Sequence, residues 1–253
     1  MKTVLISLFV LFTGMACAIS ITNEFAGMKI IYSGGRGEMK INTSLANNRW
    51  KIALTDLPRP PVNGSTTSKL MIKKKFNDPN TVIIESITAD GPLQSITVNF
   101  PPGNHRACCV RNIAVNGFVN TIKITGGDLG DIDGPDGIVY IKGDVGAFKV
   151  KGKKYNVKHS KTTEFWGGNI WADIIVTGGV KKLQIKGGNI HYDNNGGSFG
   201  KLSFGGNVNL IAADGITVKT DGADKDSKVI FGGGINSEID GHDYQIKQIR
   251  AKG

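Results

Sequence analysis

The stretch Ile122-Lys123-Ile124-Thr125-Gly126-Gly127-Asp128-Leu129 is the part of the sequence that decides the fold. Apolar residues alternate with polar ones, reach a pair of glycines, and are followed by a carboxylate and another apolar residue. Alternation with a period of two predicts a β-strand with one buried side. Paired glycines after a strand predict a sharp bend, because glycine adopts positive φ without steric cost. The phrase returns as Leu183-Gln184-Ile185-Lys186-Gly187-Gly188-Asn189-Ile190, which predicts a repeated structural unit.

Looser copies of this phrase give glycine corners that begin at residues 126, 143, 167, 187, 205 and 232. The spacing predicts coils of about 20 residues, a length suited to one turn of a β-solenoid. One coil cannot bury its apolar side alone, but coils stacked at the strand spacing of about 4.8 Å can bury it together. Asn and Asp that recur at one corner are able to form a hydrogen-bonded ladder.

Short alternating runs separated by turn residues occur along the whole chain, and no long stretch has helical periodicity. We therefore predict an all-β protein, with a parallel β-helix (β-solenoid) of about 20-residue coils and Gly-Gly-Asp/Asn corners as the preferred architecture. The alternative is an antiparallel β-sandwich or barrel, which also alternates strands and turns.

The two complete phrases, 122–129 and 183–190, resemble the coils of secreted right-handed parallel β-helix proteins of the pectin-lyase-like type. The resemblance is one of repeat texture and covers about residues 119–249. It implies a stacked parallel fold. Proteins of this kind include polysaccharide lyases and hydrolases as well as non-catalytic surface rods and adhesins, so it implies no single activity.

The segment at 1–18 has the pattern of a cleaved secretory signal peptide. Lys2 precedes an apolar run at 4–12, and Ala16-Cys17-Ala18 fits a small-x-small cleavage site. We expect a secreted, periplasmic or cell-surface protein; the alternative is a lipoprotein attached at Cys17. No other run is long and apolar enough to predict a transmembrane span.

The distribution of glycine changes near residue 118. Nine of the 35 glycines precede Val119 and 26 follow from there onward. We predict an N-terminal β region or cap with irregular coils at 19–118, and glycine-rich solenoid coils with a C-terminal cap at 119–253. The adjacent Cys108 and Cys109 are interpreted as two buried thiols, with a strained vicinal disulfide as the alternative. The four scattered histidines are interpreted as surface or turn residues.

The chain is basic, with 31 Lys and Arg against 21 Asp and Glu. A basic exported protein favours anionic partners, and we expect acidic polysaccharide or the lipid headgroups of an envelope surface; the alternative is an ordinary solvated surface. Candidate binding residues are Lys151, Lys153 and Lys154, with Trp166 and Trp171. These two tryptophans and Tyr192 are a candidate aromatic sugar platform; the alternative is that they complete a core or cover a coil edge. Nucleic acid is not expected, because no recognition helix or interleaved aromatic motif is present. Self-association of coils end to end is a further possibility.

The densest acidic cluster contains Asp131, Asp133 and Asp136. Oxygen ligands at this loop spacing suit Ca²⁺, although Asp-Gly and Pro-Asp-Gly are also ordinary turn sequences. We identify no catalytic set and no other cofactor. The predicted function is an exported non-catalytic β-solenoid that acts as a structural or binding module of the cell surface or envelope. The alternative is an enzyme on a β-helix, either a Ca²⁺-assisted polysaccharide lyase or a glycoside hydrolase.

Overall fold

A computed structural model describes residues 19–25, 27–34, 36–44, 49–58, 66–74, 82–101, 108–130, 137–156, 163–191, 200–219, 228–241 and 244–252. These residues form β-strands and no helix, so the all-β prediction is confirmed. None of the described residues forms a helix that could cross a lipid bilayer. The predicted signal peptide at 1–18, including Cys17, lies outside the described residues.

Most strands belong to two nine-stranded sheets, numbered here in chain order. Sheet A contains, in spatial order, β1 (Ile19–Phe25), β2 (Met28–Gly34), β5 (Lys69–Lys74), β7 (Leu93–Asn99), β9 (Val119–Thr125), β12 (Val145–Lys151), β16 (Val180–Lys186), β18 (Ile211–Asp214) and β22 (Ile249–Lys252). Sheet B contains β3 (Glu38–Ser44), β4 (Arg49–Thr55), β6 (Ile83–Ala89), β8 (Cys109–Val115), β11 (Ile138–Ile141), β15 (Asp173–Val176), β17 (Gly200–Phe204) and β21 (Ser237–Asp240), with β10 (Asp128–Leu129) paired to β8.

From β4 onward the chain passes back and forth between the sheets, and neighbouring strands within each sheet are parallel. Antiparallel pairing in the described residues is confined to β1–β2, β2–β5 and β3–β4 at the N-terminal end and to two hairpins. The hairpins are β13 (Lys153–Asn156) with β14 (Thr163–Trp166), and β19 (Ile216–Lys219) with β20 (Lys228–Phe231). The antiparallel sandwich or barrel therefore does not describe the two large sheets.

Most turns of the chain are longer than the predicted coils. Leu93, Val119 and Val145 are successive partners in sheet A, so one turn runs from 93 to 119 and the next from 119 to 145. The turn from Val145 to Val180 is longer still, because the β13–β14 hairpin is inserted in it. The predicted length fits the turn from Ile170 to Ile190 but is too short for these other turns, because the six glycine corners are not equivalent. Parallel bridges align the corners at 126, 167, 187 and 232 in one column, whereas those at 143 and 205 belong to a second column.

Both hairpins leave the sheets at the same kind of position. Each follows the end of a sheet A strand and precedes a Gly-Gly corner of the first column: β13–β14 lies between β12 and Gly167, and β19–β20 lies between β18 and Gly232. After β9 and β16 the corner glycine follows the strand directly. The bridges that align the corners are present whether or not a hairpin is inserted.

The interior is built from columns of aliphatic and aromatic side chains in register. Ile122, Phe148, Leu183 and Ile211 are neighbours in successive strands of sheet A, and each is at most 1% exposed. Burying one such side chain contributes about 1.5–3 kcal/mol before conformational entropy is subtracted. The alternation seen in the sequence therefore corresponds to inward and outward positions of these strands.

A ladder of side-chain hydrogen bonds connects four corners of the first column. The Oδ1 atom of Asp128 accepts a bond from the backbone N–H of Asn169 at 2.8 Å. Asn169 Oδ1 accepts from the N–H of Asn189 at 2.9 Å, and Asn189 Oδ1 accepts from the N–H of Gly234 at 2.9 Å. Each polar side chain thus satisfies a backbone donor of the next corner, as the recurrence of Asp and Asn suggested.

Close stacking explains the glycines at these corners. A Cβ atom on Gly188 would overlap the carbonyl group of Gly168 in the preceding corner. Gly187 has a φ of 76°, in the region where side chains are disfavoured. Two different constraints, a backbone contact and a positive φ, therefore require the Gly-Gly pair.

The proposed boundary at residue 118 lies between β8 and β9. Strand β9, beyond this boundary, pairs with β7 before it, so sheet A continues across the position. The division into two regions stays a prediction. Cys108 and Cys109 are 5% and 3% exposed, which agrees with their interpretation as buried side chains at the start of β8.

Candidate anion-binding face

The outward side of sheet A is strongly basic in its central strands. The neighbouring strands β5, β7, β9, β12 and β16 contain nine lysines and no Asp or Glu. Lys74 is buried, and the other eight lysines are exposed or half-exposed. We call this set the basic face; its members are Lys69, Lys73, Lys123, Lys149, Lys151, Lys181, Lys182 and Lys186.

Several of these lysines are direct neighbours across adjacent strands. Lys123 is in register with Lys149, and Lys151 is in register with Lys186. Adjacent strands are about 4.8 Å apart. Like charges directly opposite each other in a sheet destabilise the fold. The arrangement therefore has an electrostatic cost, which a bound polyanion would reduce.

The carboxylates of sheet A lie toward its two ends and are already paired. Arg250 donates from Nε and Nη2 to Asp214 at 2.9 and 2.8 Å, and Gln184 Nε2 donates to Asp214 at 2.9 Å. The hydrogen bond from Arg250 is the main reason that the pKa of Asp214 lies below its ordinary value. At the other end Glu24 pairs with Lys29 at 2.8 Å. Asp214 is the register partner of Lys186 and borders the basic face on that side, whereas Glu24 lies outside it.

Sheet B has a different charge pattern, in which acids and bases are interspersed. Glu85 Oε2 lies 3.3 Å from Nη1 of both Arg49 and Arg111. Lys201 Nζ lies 3.4 Å from Asp240. Lysines without neighbouring carboxylates are therefore concentrated on the central strands of sheet A. A surface that was uniformly basic would show the same charge pattern on both sheets.

Lys153 is fixed across the end of the basic face. Its Nζ donates to Asn99 Oδ1 at 2.6 Å and to the carbonyl oxygen of Phe100 at 2.8 Å, two strands away. Burial, followed by repulsion from Lys123 and Lys151, lowers the pKa of the Lys153 ammonium. This lysine connects the β13–β14 hairpin to sheet A.

The structure brings four of the five predicted binding residues together. Lys151 ends β12 and is exposed, and β13 carries Lys153 and the exposed Lys154. Lys153 is the register partner of Trp166 in β14. These four residues therefore lie on or beside the hairpin that borders the basic face.

The fifth predicted residue, Trp171, lies at a different corner. Its backbone N–H donates to the carbonyl oxygen of Leu129 at 2.7 Å, next to β10. Its indole Nε1 is buried and has no hydrogen-bond partner among the described residues. Trp171 therefore packs at the corner that precedes residues 131–136 and does not extend the hairpin surface.

The predicted calcium ligands Asp131, Asp133 and Asp136 lie outside the described residues. Within the part of the chain that the structure describes, no group of three or more His, Cys, Asp or Glu side chains could hold a metal ion.

His191, interpreted as a surface or turn residue, lies at a bend with a φ of 45° and is buried inside the fold. It is 2% exposed, its Nδ1 is 2.7 Å from Ser237 Oγ, and its Nε2 is 2.8 Å from the carbonyl oxygen of Ala172. These contacts connect three successive turns of the chain. They give His191 a structural role.

A groove of about 680 Å³ lies at the corner where the chain enters sheet A, beside Lys181. Asn120, Asp144, Asn209 and Tyr244 are among its lining residues. Amide, carboxylate and phenol groups can bond to sugar hydroxyls, and an exposed tyrosine ring can pack on a sugar. The groove borders the basic face through Lys181.

Most of the basic face was missed by sequence reasoning, which selected the dense cluster at 151–154. Lys123 and Lys149 are register partners in adjacent strands, so a whole turn of the chain separates them in sequence. Their common signal is a lysine at a polar position of an alternating strand. It becomes visible only when the register between strands is known.

Comparison with known proteins does not narrow the function. No protein-family model, curated protein or solved structure matches the chain.

Proposed function

We propose that this protein is an exported β-solenoid that binds acidic polysaccharide at the cell surface or envelope without catalysing a reaction. The observation that carries the proposal is the basic face, eight exposed or half-exposed lysines on five adjacent strands that contain no carboxylate. The ligand is a linear polyanion that lies across the lysines of the basic face.

The solenoid part of the proposal rests on topology and register. From β4 onward the chain passes back and forth between two sheets of mainly parallel strands, inward residues share columns, and polar corner side chains bond to the next corner. A stack of coils produces all three features, because each turn presents the same positions to its neighbour.

The choice of polysaccharide rests on the chemistry of the surface. Lysines are direct neighbours in adjacent strands, about 4.8 Å apart, at two places, Lys123 with Lys149 and Lys151 with Lys186, so a flexible polyanion can contact several of them at once. The outward positions of these five strands carry no aromatic side chain on which nucleic-acid bases could stack. The groove beside Lys181 adds groups that recognise hydroxyls.

Calorimetric titration with polygalacturonate, and with neutral dextran as a control, tests the proposal. We expect polygalacturonate to bind with an affinity that falls steeply as salt rises, because lysine contacts release counterions and are screened. Dextran should bind much more weakly. Equal binding of the two polymers, or binding of polygalacturonate that does not respond to salt, would refute the proposal.

The alternative enzyme, a Ca²⁺-assisted lyase that uses Asp131, Asp133 and Asp136, is tested with the same polymer. A lyase generates unsaturated ends, which absorb in the ultraviolet, and chelation of Ca²⁺ should stop their formation. An Asp133→Asn variant should then also be inactive. Our proposal expects no ultraviolet change with or without Ca²⁺, whereas polysaccharide binding remains.

A further inference from the structure

The two ends of the strand stack are formed by edge strands. Sheet A ends at β1 and β22, and sheet B ends at β3 and β21. Among the described residues, none of these four strands has a pairing partner on its outer side. Such edges offer unpaired backbone donors and acceptors, and they favour association with another strand.

Each end presents isoleucines that belong to the same inward columns. The register through sheet A places Ile249 of β22 in one column with Ile21 of β1. The register through sheet B places Ile239 of β21 in one column with Ile41 of β3. Ile249 is 52% exposed, and the other three are only partly buried. Both ends therefore expose apolar side chains that continue the interior.

In each sheet, one column of residues in register ends in a basic side chain at one edge and in an acidic side chain at the other edge. In sheet A the column that ends in Lys252 at one edge ends in Glu24 at the other. In sheet B the column that ends in Asp240 at one edge ends in Lys40 at the other.

Three of these four terminal residues also have partners within the molecule. Glu24 pairs with Lys29, Asp240 with Lys201, and Lys40 with Glu38, the last at 3.8 Å between exposed side chains. A carboxylate can accept from more than one cation, and an ammonium can donate to more than one acceptor. The internal pairs therefore leave the terminal charges able to meet a second molecule.

We propose that the C-terminal end of one molecule docks onto the N-terminal end of a second copy. In this arrangement β22 pairs in parallel with β1, β21 pairs antiparallel with β3, and the matching columns continue from one copy into the next. The two docking surfaces are different, so the contact is heterologous and generates open filaments or, if the rotation closes, rings. This inference does not depend on polysaccharide binding.

Charge reversal at the sheet B contact provides the test, with the mass of the particles measured by light scattering at low salt over a range of concentrations. Asp240→Lys gives a molecule with lysine at both ends of this column, and Lys40→Asp gives one with aspartate at both ends. Each variant should assemble less than wild type, because like charges meet. An equimolar mixture should regain assembly, because the two variants can alternate.

Controls separate docking from folding. Circular dichroism of each variant should match wild type, and Lys201→Gln, which removes the internal partner of Asp240 without changing the charge of the edge column, should leave assembly intact. The proposal is overturned if wild type stays monomeric at all concentrations, if the folded single variants assemble like wild type, or if mixing them restores nothing.

Discussion

Neutralising two lysines of the basic face should stabilise the fold while weakening ligand binding. Lys149 faces Lys123, and Lys151 faces Lys186, in adjacent strands. An opposed like-charge pair costs about 0.2–1 kcal/mol, so Lys149→Gln with Lys151→Gln should raise the free energy of unfolding by about 0.4–2 kcal/mol at low salt. For a chain of this size this corresponds to a rise in Tm of about 1–8 °C.

The same double variant should bind acidic polysaccharide less tightly. A lysine near an anionic surface contributes about 1 kcal/mol, so losing two should weaken binding roughly 30-fold. Urea unfolding and calorimetric titration with polygalacturonate measure the two quantities on one preparation. In about 1 M salt, where the Debye length is about 3 Å, the gain in stability should largely disappear.

A matched control has the same change in net charge at exposed positions outside sheet A. Lys51 in β4 is in register with the uncharged Asn42 and Ser86, and Lys142 follows β11. Lys51→Gln with Lys142→Gln should change stability little and reduce polysaccharide affinity much less. If the control loses as much affinity as the sheet A variant, binding depends on net charge alone. If the sheet A variant is less stable than wild type, the argument from opposed lysines is wrong.

Three further predictions concern the fold. Phe148→Ala removes a side chain that is 1% exposed from the centre of a column and should lower the free energy of unfolding by about 3–5 kcal/mol in urea denaturation. Asn169→Ala leaves the backbone N–H of Asn189 without its acceptor and should cost about 1–3 kcal/mol, and an unchanged urea midpoint would contradict a structural role for the ladder. The pKa of Asp214 lies below its ordinary value of 3.8, so its contribution to stability is present above about pH 4 and is lost as pH falls through the lowered pKa. The Arg250→Gln variant should therefore lose less free energy of unfolding on acidification than wild type, which urea unfolding at each pH measures.

The sequence was informative about local structure and about the role of its corners. Alternation at 122–124 and 183–185 identified strands with a buried side, and the Gly-Gly-Asp/Asn phrase identified the corners where Asp128 and Asn169 form hydrogen bonds. These features depend on residues close together in the chain, so spacing and side-chain chemistry are sufficient to find them.

The repeat length and the basic face depend on register, which the sequence does not contain. Two corner columns share one residue pattern, so the distance from Gly126 to Gly143 measured part of a turn instead of a whole one. Lys123 and Lys186 became members of one surface only after the strands were aligned. A cluster of charges in the sequence, such as 151–154, does not identify a charged surface in this fold, because residues that are neighbours on the surface of a sheet are a full turn apart in the sequence.

The shared exit point of the β13–β14 and β19–β20 hairpins has a practical consequence for engineering. Each hairpin is inserted just before a Gly-Gly corner. The bridge Leu129–Ile170 still forms beyond the first hairpin, and the bridge Ile190–Ile235 still forms beyond the second. The uninterrupted junctions Thr125-Gly126 and Lys186-Gly187 are the equivalent positions in turns that carry no hairpin. A foreign loop or epitope grafted at either junction should be displayed beside the basic face without altering the packing underneath.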